Sequence, residues 1–234
     1  MASVLNTNMA SVSAQRFLSS AQNKLGVSYE RLSSGLRINR AQDDAAGMGI
    51  SQALTASIGA TNMATRNAND AIGVLQTAEG ALTEISSMLQ RFKELATQGN
   101  NAALSEDQLA YISVEMGNLA EEIGAISTRT TFNTIGLLDG GTNADNGLLV
   151  FQTGEAISQT ITISTSDING GTGFTSLGAL IDYDFTNPEG AGLVTDPTEY
   201  ATLAETIDEA IIEVATQRAK YGAQVNRLNH NVAN

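Results

Sequence analysis

The sequence predicts a mainly α protein, an elongated antiparallel bundle of long heptad-patterned helices with a small β-hairpin region. Three observations lead there. Apolar residues recur at alternating spacings of three and four over stretches far longer than a strand. Both prolines lie after residue 187, so nothing interrupts a long helix before that point. Hydrophobic residues make up 42% of the chain but aromatic ones only 5%, with no tryptophan. That composition suits narrow seams lined by Ala and Leu, which bury a stripe and need few large rings.

In the first helix Val4, Leu18, Leu25 and Leu32 share one seven-residue register, with Ser11 breaking the series. Gly35 ends this helix and Arg37 and Arg40 span a gap. Asp43 and Asp44 then open the next helix, where negative charge meets the positive end of the helix dipole. The second helix carries the clearest pattern: Ile50, Leu54, Ser57, Thr61, Ala64, Ala68, Ala71, Leu75, Ala78, Leu82, Ile85, Leu89, Phe92 and Ala96. Such a helix is about 75 Å long. Its alanine-lined middle admits a close partner helix, and Gly99-Asn100-Asn101 reads as its C-cap. The third helix opens with Ser105-Glu106-Asp107-Gln108, a capping box, and continues through Leu109, Ile112, Met116, Leu119, Ile123 and Ile126. A short turn between two such helices makes them antiparallel neighbours.

Between residues 131 and 195 the pattern changes. Glycine pairs at Gly140-Gly141 and Gly170-Gly171 flank "LLVFQTG" and "QTITIST", which are β-branched and partly alternating. They read as a short hairpin or two followed by a loop region. The final helix opens at "DPTE", with Asp196 as cap, Pro197 in the first helical position and Glu199 completing the box. Ile207, Ile211, Val214, Arg218, Tyr221, Val225, Leu228 and Val232 keep the spacing, Arg218 being the one polar intruder. The pattern is still running at Asn234, as in a helix that has been cut. These changes divide the chain into segments 1–43, 44–130, 131–195 and 196–234.

Charge is unevenly placed. Of the net −13, all the excess falls between residues 130 and 217, which hold 13 acidic residues and no Lys or Arg. The remaining 12 basic and 12 acidic residues cancel. Such a segment repels nucleic acid and anionic membrane and suits a solvated outer surface, so neither is expected as a partner. The absence of cysteine excludes disulfides and thiolate metal sites. No transmembrane run occurs, and the N-terminus lacks the basic leader and apolar core of a secretory signal. Export, if it happens, takes another route.

No active site can be assembled from these residues. The single histidine, His230, lies in the last turn of the final helix with no second histidine, cysteine or acidic pair beside it. Adjacent acids at Asp43-Asp44, Glu121-Glu122 and Asp208-Glu209 point in different directions on a helix, so they form no dyad. Asp182 and Asp184 lack the rest of a calcium loop, and Gly47-Met48-Gly49 lacks the third glycine and preceding strand of a dinucleotide fingerprint. The methionines at 48, 63, 88 and 116 are ordinary helix fillers. Neither a catalytic function nor a cofactor is expected.

The stretch "RLSSGLRINRAQDDAAGMGIS", residues 31–51, resembles the N-terminal signature of bacterial flagellin, the subunit of the flagellar filament. Further resemblances follow in order: "MLQRFKELATQGNN" (88–101), "RTTFNTIGLLDG" (129–140), "FQTGEAISQTITI" (151–163) and "QRAKYGAQVNRLNH" (217–230). The resemblance implies a secreted structural protein of the extracellular filament, serving motility. Segment 1–43 would be the inner-tube helix and joint, and 44–130 the N-terminal helices of a rod. Segment 131–195 would be its β-hairpin and acidic loop region, and 196–234 its C-terminal helix. The outer variable domains of larger flagellins would be missing or reduced to a loop. Implied partners are other subunits, packed through Leu18, Leu25, Leu32 and Arg31, together with the flagellar export machinery and cap. A hook–filament junction protein, which shares related terminal helices, is the alternative. A helical signalling module would need a docking motif that is absent.

Family members continue well beyond the Asn226-Arg227-Leu228 motif, and that continuation carries the second inner-tube helix and the export chaperone's site. A chain ending at Asn234 is therefore expected to polymerise poorly alone and not to bind the chaperone by the usual tail. The resemblance also implies recognition by host innate immunity. The family's contacts for the vertebrate Toll-like receptor fall on Arg91, Leu95 and Glu115. Residues 30–51 match the peptide perceived by plant receptors, in which Asp43 matters, although Gln42 stands where a lysine is common. The plainer reading of the same residues is that Arg91 and Glu115 are exposed helix charges and Leu95 is partly packed.

Overall fold

Nine elements make up the computed structural model, which describes residues 8–140, 147–165, 167–169, 174–183, 185, 194 and 196–234. They are α1 (Met9–Ser34), α2 (Ala45–Gly99), α3 (Glu106–Arg129), β1 (Thr131–Phe132), β2 (Ile135–Gly136), β3 (Leu148–Gln152), β4 (Thr160–Ser164), α4 (Thr175–Ile181) and α5 (Pro197–Ala233). The protein is mainly α, with two small antiparallel sheets among the described residues, β1–β2 and β3–β4. Val4, Gly141, Gly170, Gly171 and Asp184, named from the sequence, lie outside the described residues. The chain divides into two units, Met1–Gly59 and Ala60–Asn234, with the boundary inside α2.

Local signals set most boundaries. Asn8 caps α1, its Oδ1 accepting from the N–H groups of Ala10 and Ser11, and Gly35 closes it in the left-handed region at φ 69°. Asp44 Oδ1 accepts the Gly47 N–H at 2.8 Å at the start of α2. Gln108 Oε1 accepts from the Ser105 N–H at 3.0 Å, and Asp196 accepts from Thr198 ahead of Pro197. Gly99 has a different role from the expected C-cap, since it keeps helical geometry as the last residue of α2. A methyl group placed there would lie 2.5 Å from the ring carbons of buried Tyr200. The glycine is required by close approach of α5, not by a left-handed turn.

Within the second unit the heptad positions of α2 are buried from Ala64 to Ala96, against Leu109, Ile112, Met116 and Ile123 of α3 and Ile207, Val214, Tyr221 and Leu228 of α5. Tyr200 Oη donates to the Leu109 carbonyl at 2.8 Å, and Lys93 pairs with Asp208 across α2 and α5. The β4 strand shows the alternation of a half-buried strand, with Ile161 and Ile163 inward. Buried hydroxyls staple the irregular segments: Ser127 donates to the Leu138 carbonyl, and Ser113 donates to the Phe185 carbonyl.

Short helix α4 was not expected from the sequence. Leu177 and Leu180 are buried, and the free N–H groups of Ser176 and Leu177 are met by the two carboxylate oxygens of Glu213 on α5, each at 3.0 Å. Its cap therefore comes from another helix. No described helix is long and apolar enough to cross a membrane.

Candidate functional site: exposed helical faces

In the first unit, α1 buries none of its residues. Phe17, Leu18, Leu25, Tyr29 and Leu32 all face solvent, Leu32 at 81% exposure. Leu18, Leu25 and Leu32 repeat every seventh position, so they form one stripe along the helix. The same holds for the start of α2, where Ile50, Leu54 and Ile58 are exposed. One heptad register thus runs through α2, open at Ile50 and closed from Ala64 onward. Covering a leucine or isoleucine side chain contributes about 1.5–3 kcal/mol, free energy that these exposed stripes leave unused within the chain.

Between α1 and α2 the chain folds back on itself through polar contacts. Asp43 Oδ2 accepts the N–H groups of Asn39 at 3.2 Å and Arg40 at 3.1 Å, and its Oδ1 lies 3.9 Å from Arg31 Nη2. Those two backbone N–H groups, helped by Arg31 and Arg40, hold the Asp43 carboxyl below its ordinary range against the opposing effect of burial. Arg40 Nε donates to Glu30 Oε1 at 2.9 Å, and Ser34 Oγ accepts from Asn39 Nδ2 at 2.8 Å.

On the second unit Arg91 joins two helices. Its Nη2 donates to Glu115 Oε1 of α3 at 2.7 Å, and its Nη1 donates to Glu94 Oε2 at 3.1 Å. These bonds, Glu115 foremost, raise the guanidinium further above its ordinary value. Both Arg91 and Glu115 are half exposed. Leu95 is not on their surface: at 1% exposure it belongs to the core beneath them. Tyr111, 75% exposed, and Val114 lie on the outward side of α3 in the same region. Sequence reasoning passed over both, although an apolar residue off the buried Leu109–Ile112–Met116 register is the signal that finds it. The arrangement offers surfaces for packing. Among the described residues, no three His, Cys, Asp or Glu side chains converge as a metal-binding group.

Residues 5–143 match the family model for the bacterial flagellin N-terminal helical region, more than half of the chain. Flagellin of Bacillus subtilis (strain 168) is 38% identical over 246 residues, covering 98% of this chain and 81% of that protein. The chain belongs to the bacterial flagellin family. Flagellin of Salmonella muenchen is 41% identical over 207 residues, but the chain spans only 40% of that protein's length. Among solved structures, the Bacillus cereus flagellin matches with a TM-score of 0.59 at 29% identity, covering 72% of this chain and 88% of that one. A putative flagellar hook-associated protein from Vibrio parahaemolyticus matches with a TM-score of 0.61 at 18% identity, covering 83% and 93%. That second likeness establishes shared fold alone. Flagellins are structural proteins, and the exposed stripes on α1 and α2 are the features of this flagellin-family chain that call for a partner.

Proposed function

We propose that this chain is a structural subunit of the bacterial flagellar filament, assembling with copies of itself through the open faces of α1 and the start of α2. The observation that carries the reading is the single register of α2, buried within the chain from Ala64 to Ala96 and uncovered at Ile50 and Leu54. Leu18, Leu25 and Leu32 supply the matching stripe on α1, and Arg31 adds to the packing face from its last turn. Secretion through the flagellar export machinery, placement beneath the filament cap and a role in motility follow from this reading. The 38% identity to a flagellin across nearly the whole chain favours it over a hook–filament junction protein, whose likeness is one of fold.

Light scattering over a concentration series, with the parent chain beside a Leu18→Asp/Leu25→Asp/Leu32→Asp variant, tests it. Association in the parent and its loss in a variant of unchanged helicity support the reading. A variant that associates as strongly as the parent refutes it.

A second reading concerns host recognition. Arg91 and Glu115 present a fixed, half-exposed ion pair beside Tyr111 and Val114, a surface suited to a Toll-like receptor. In this reading Leu95 acts from beneath, by holding the α2 backbone that carries Arg91. The 30–51 segment with Asp43 would serve a plant receptor. A reporter-cell assay in which Arg91→Ala signals as strongly as the parent would remove the vertebrate part of the proposal.

A further inference from the structure

Between α2 and the two hairpins of the second unit lies an apolar hollow of about 300 Å³. Val74 of α2 and Leu137 after β2 line it, with Phe132, Leu149 and Phe151 from the strands. Val74 and Leu137 are buried, whereas Phe132, Leu149 and Phe151 are only partly so. Phe132 leans on α2 at Gly73, where an added methyl group would meet its ring at 3.8 Å. A cavity of about 150 Å³ takes benzene, so this hollow has room for a ring and a short arm. Two polar residues share the lining, Asp70 on α2 and Asn133 in the turn between β1 and β2. Asp70 is the one charged residue there and forms no ion pair among the described residues. Arg66, one helical turn before it, directs its Nη2 to Met63 Sδ instead. The Asn133 side chain likewise has no hydrogen-bond partner among the described residues. Its turn is strained: Asn133 and Thr134 have φ 49° and 67°, the second an unfavourable value for a β-branched residue. Strain of this kind gathers at binding sites.

We propose that this hollow is a binding site for a small aromatic amine, an arylalkylammonium ion whose ring fills the space beside Phe132 and Phe151. Its ammonium group is met at the rim by the Asp70 carboxylate and the Asn133 side-chain oxygen. Charge selects the class: a cation is drawn to Asp70 and an anion repelled, and the acidic excess of residues 130–217 adds the same preference. The two phenylalanines favour an aromatic body over an aliphatic one, through ring packing and the attraction of a cation to a ring face. The pattern is that of small-molecule sites in general, an apolar hollow with a few convergent polar groups. Every residue of the site belongs to one unit of one chain, so binding does not require assembly.

Titration of 2-phenylethylammonium chloride into the dilute, isotope-labelled full chain at neutral pH, followed by amide NMR, tests the site. A probe of this size is expected to bind with a Kd on the order of 1 mM. Saturable shifts are expected across residues 70–74, 132–137 and 149–151. Phenylacetate, with the same ring and the opposite charge, is expected to bind at least about tenfold more weakly. Asp70→Asn, an exchange at an exposed position, is expected to weaken the ammonium probe about threefold to fivefold. Glu84→Gln, at another exposed carboxylate of α2, is expected to leave binding unchanged. Shifts that do not saturate, or that fall outside these residues, overturn the site. So does phenylacetate binding as tightly as the amine, or Asp70→Asn of parent helicity binding as the parent does. Equal weakening by Glu84→Gln and Asp70→Asn also overturns it, since the attraction would then be one of net charge alone.

Discussion

Replacing Ile85 and Ile50 by alanine, one at a time, compares two positions of a single helical register whose surroundings differ completely. Ile85 has no exposure, enclosed among α2, α3 and α5, whereas Ile50 is 63% exposed. Truncating a fully buried isoleucine removes its transfer free energy and leaves a cavity, together costing about 2–5 kcal/mol. At Ile50 the loss within the monomer is confined to about 0.5 kcal/mol, partly offset by alanine's better helix propensity of a few tenths. Urea unfolding followed by far-UV circular dichroism, on dilute chain, should lower the midpoint by about 1–2 M for Ile85→Ala. Ile50→Ala should leave it within about 0.3 M of the parent. At concentrations where the chain associates, the order should reverse in the association signal: Ile50→Ala weakens it and Ile85→Ala, while folded, does not. Equal midpoint shifts, or none at Ile85, would refute the division of α2 into a closed and an open stretch.

Other substitutions probe particular contacts. Gly99→Ala should cost about 1–3 kcal/mol in unfolding experiments, because its methyl group meets the buried Tyr200 ring. Glu213→Ala should destabilise by about 0.5–2 kcal/mol and speed hydrogen exchange across Thr175–Ile181 before the rest of the chain, with Glu213→Gln intermediate. Burial foremost, with the Tyr183 and Glu199 charges, pushes the Tyr200 hydroxyl up to about 12 from an ordinary value of 10.0. The native state therefore keeps a proton that the unfolded chain has lost, and stability falls as pH rises from about 10 to about 12. Tyr200→Phe should reduce that fall, leaving the smaller share of Tyr183, whose hydroxyl burial also raises, while costing about 0.5–1.5 kcal/mol at neutral pH through the lost bond to Leu109. Unfolding curves at graded alkaline pH check both.

The long helices were legible because burial along them repeats every three or four residues, so local sequence carries the tertiary pattern. Ala64 to Ala96, Leu109 to Ile123 and Ile207 to Leu228 all emerged that way, as did the caps at Ser105 and Asp196. Helix α4 did not, for two physical reasons. Seven residues are too few to display a period, and its N-terminal cap is Glu213, a residue far along the chain. The same limit hid the role of Gly99, whose constraint is Tyr200 on another helix. For the candidate site, the stripe Leu18–Leu25–Leu32 was visible as a register, but sequence alone gives no sign of whether a register is closed by the same chain. Ala64 and Leu54 look equivalent in spacing and differ only in what covers them. Leu95 shows the converse, since its neighbours Arg91 and Glu94 face solvent while it points inward.

Hydrogen exchange of α1 in dilute and in associated chain tests the proposed assembly face most directly. With no α1 residue buried in the monomer, its amides should exchange rapidly when the protein is dilute. On association, protection should appear across Met9–Ser34 and the first turns of α2, while Ala64 to Ala96 stays protected throughout. Associated chains whose α1 amides exchange as fast as in the monomer would contradict it.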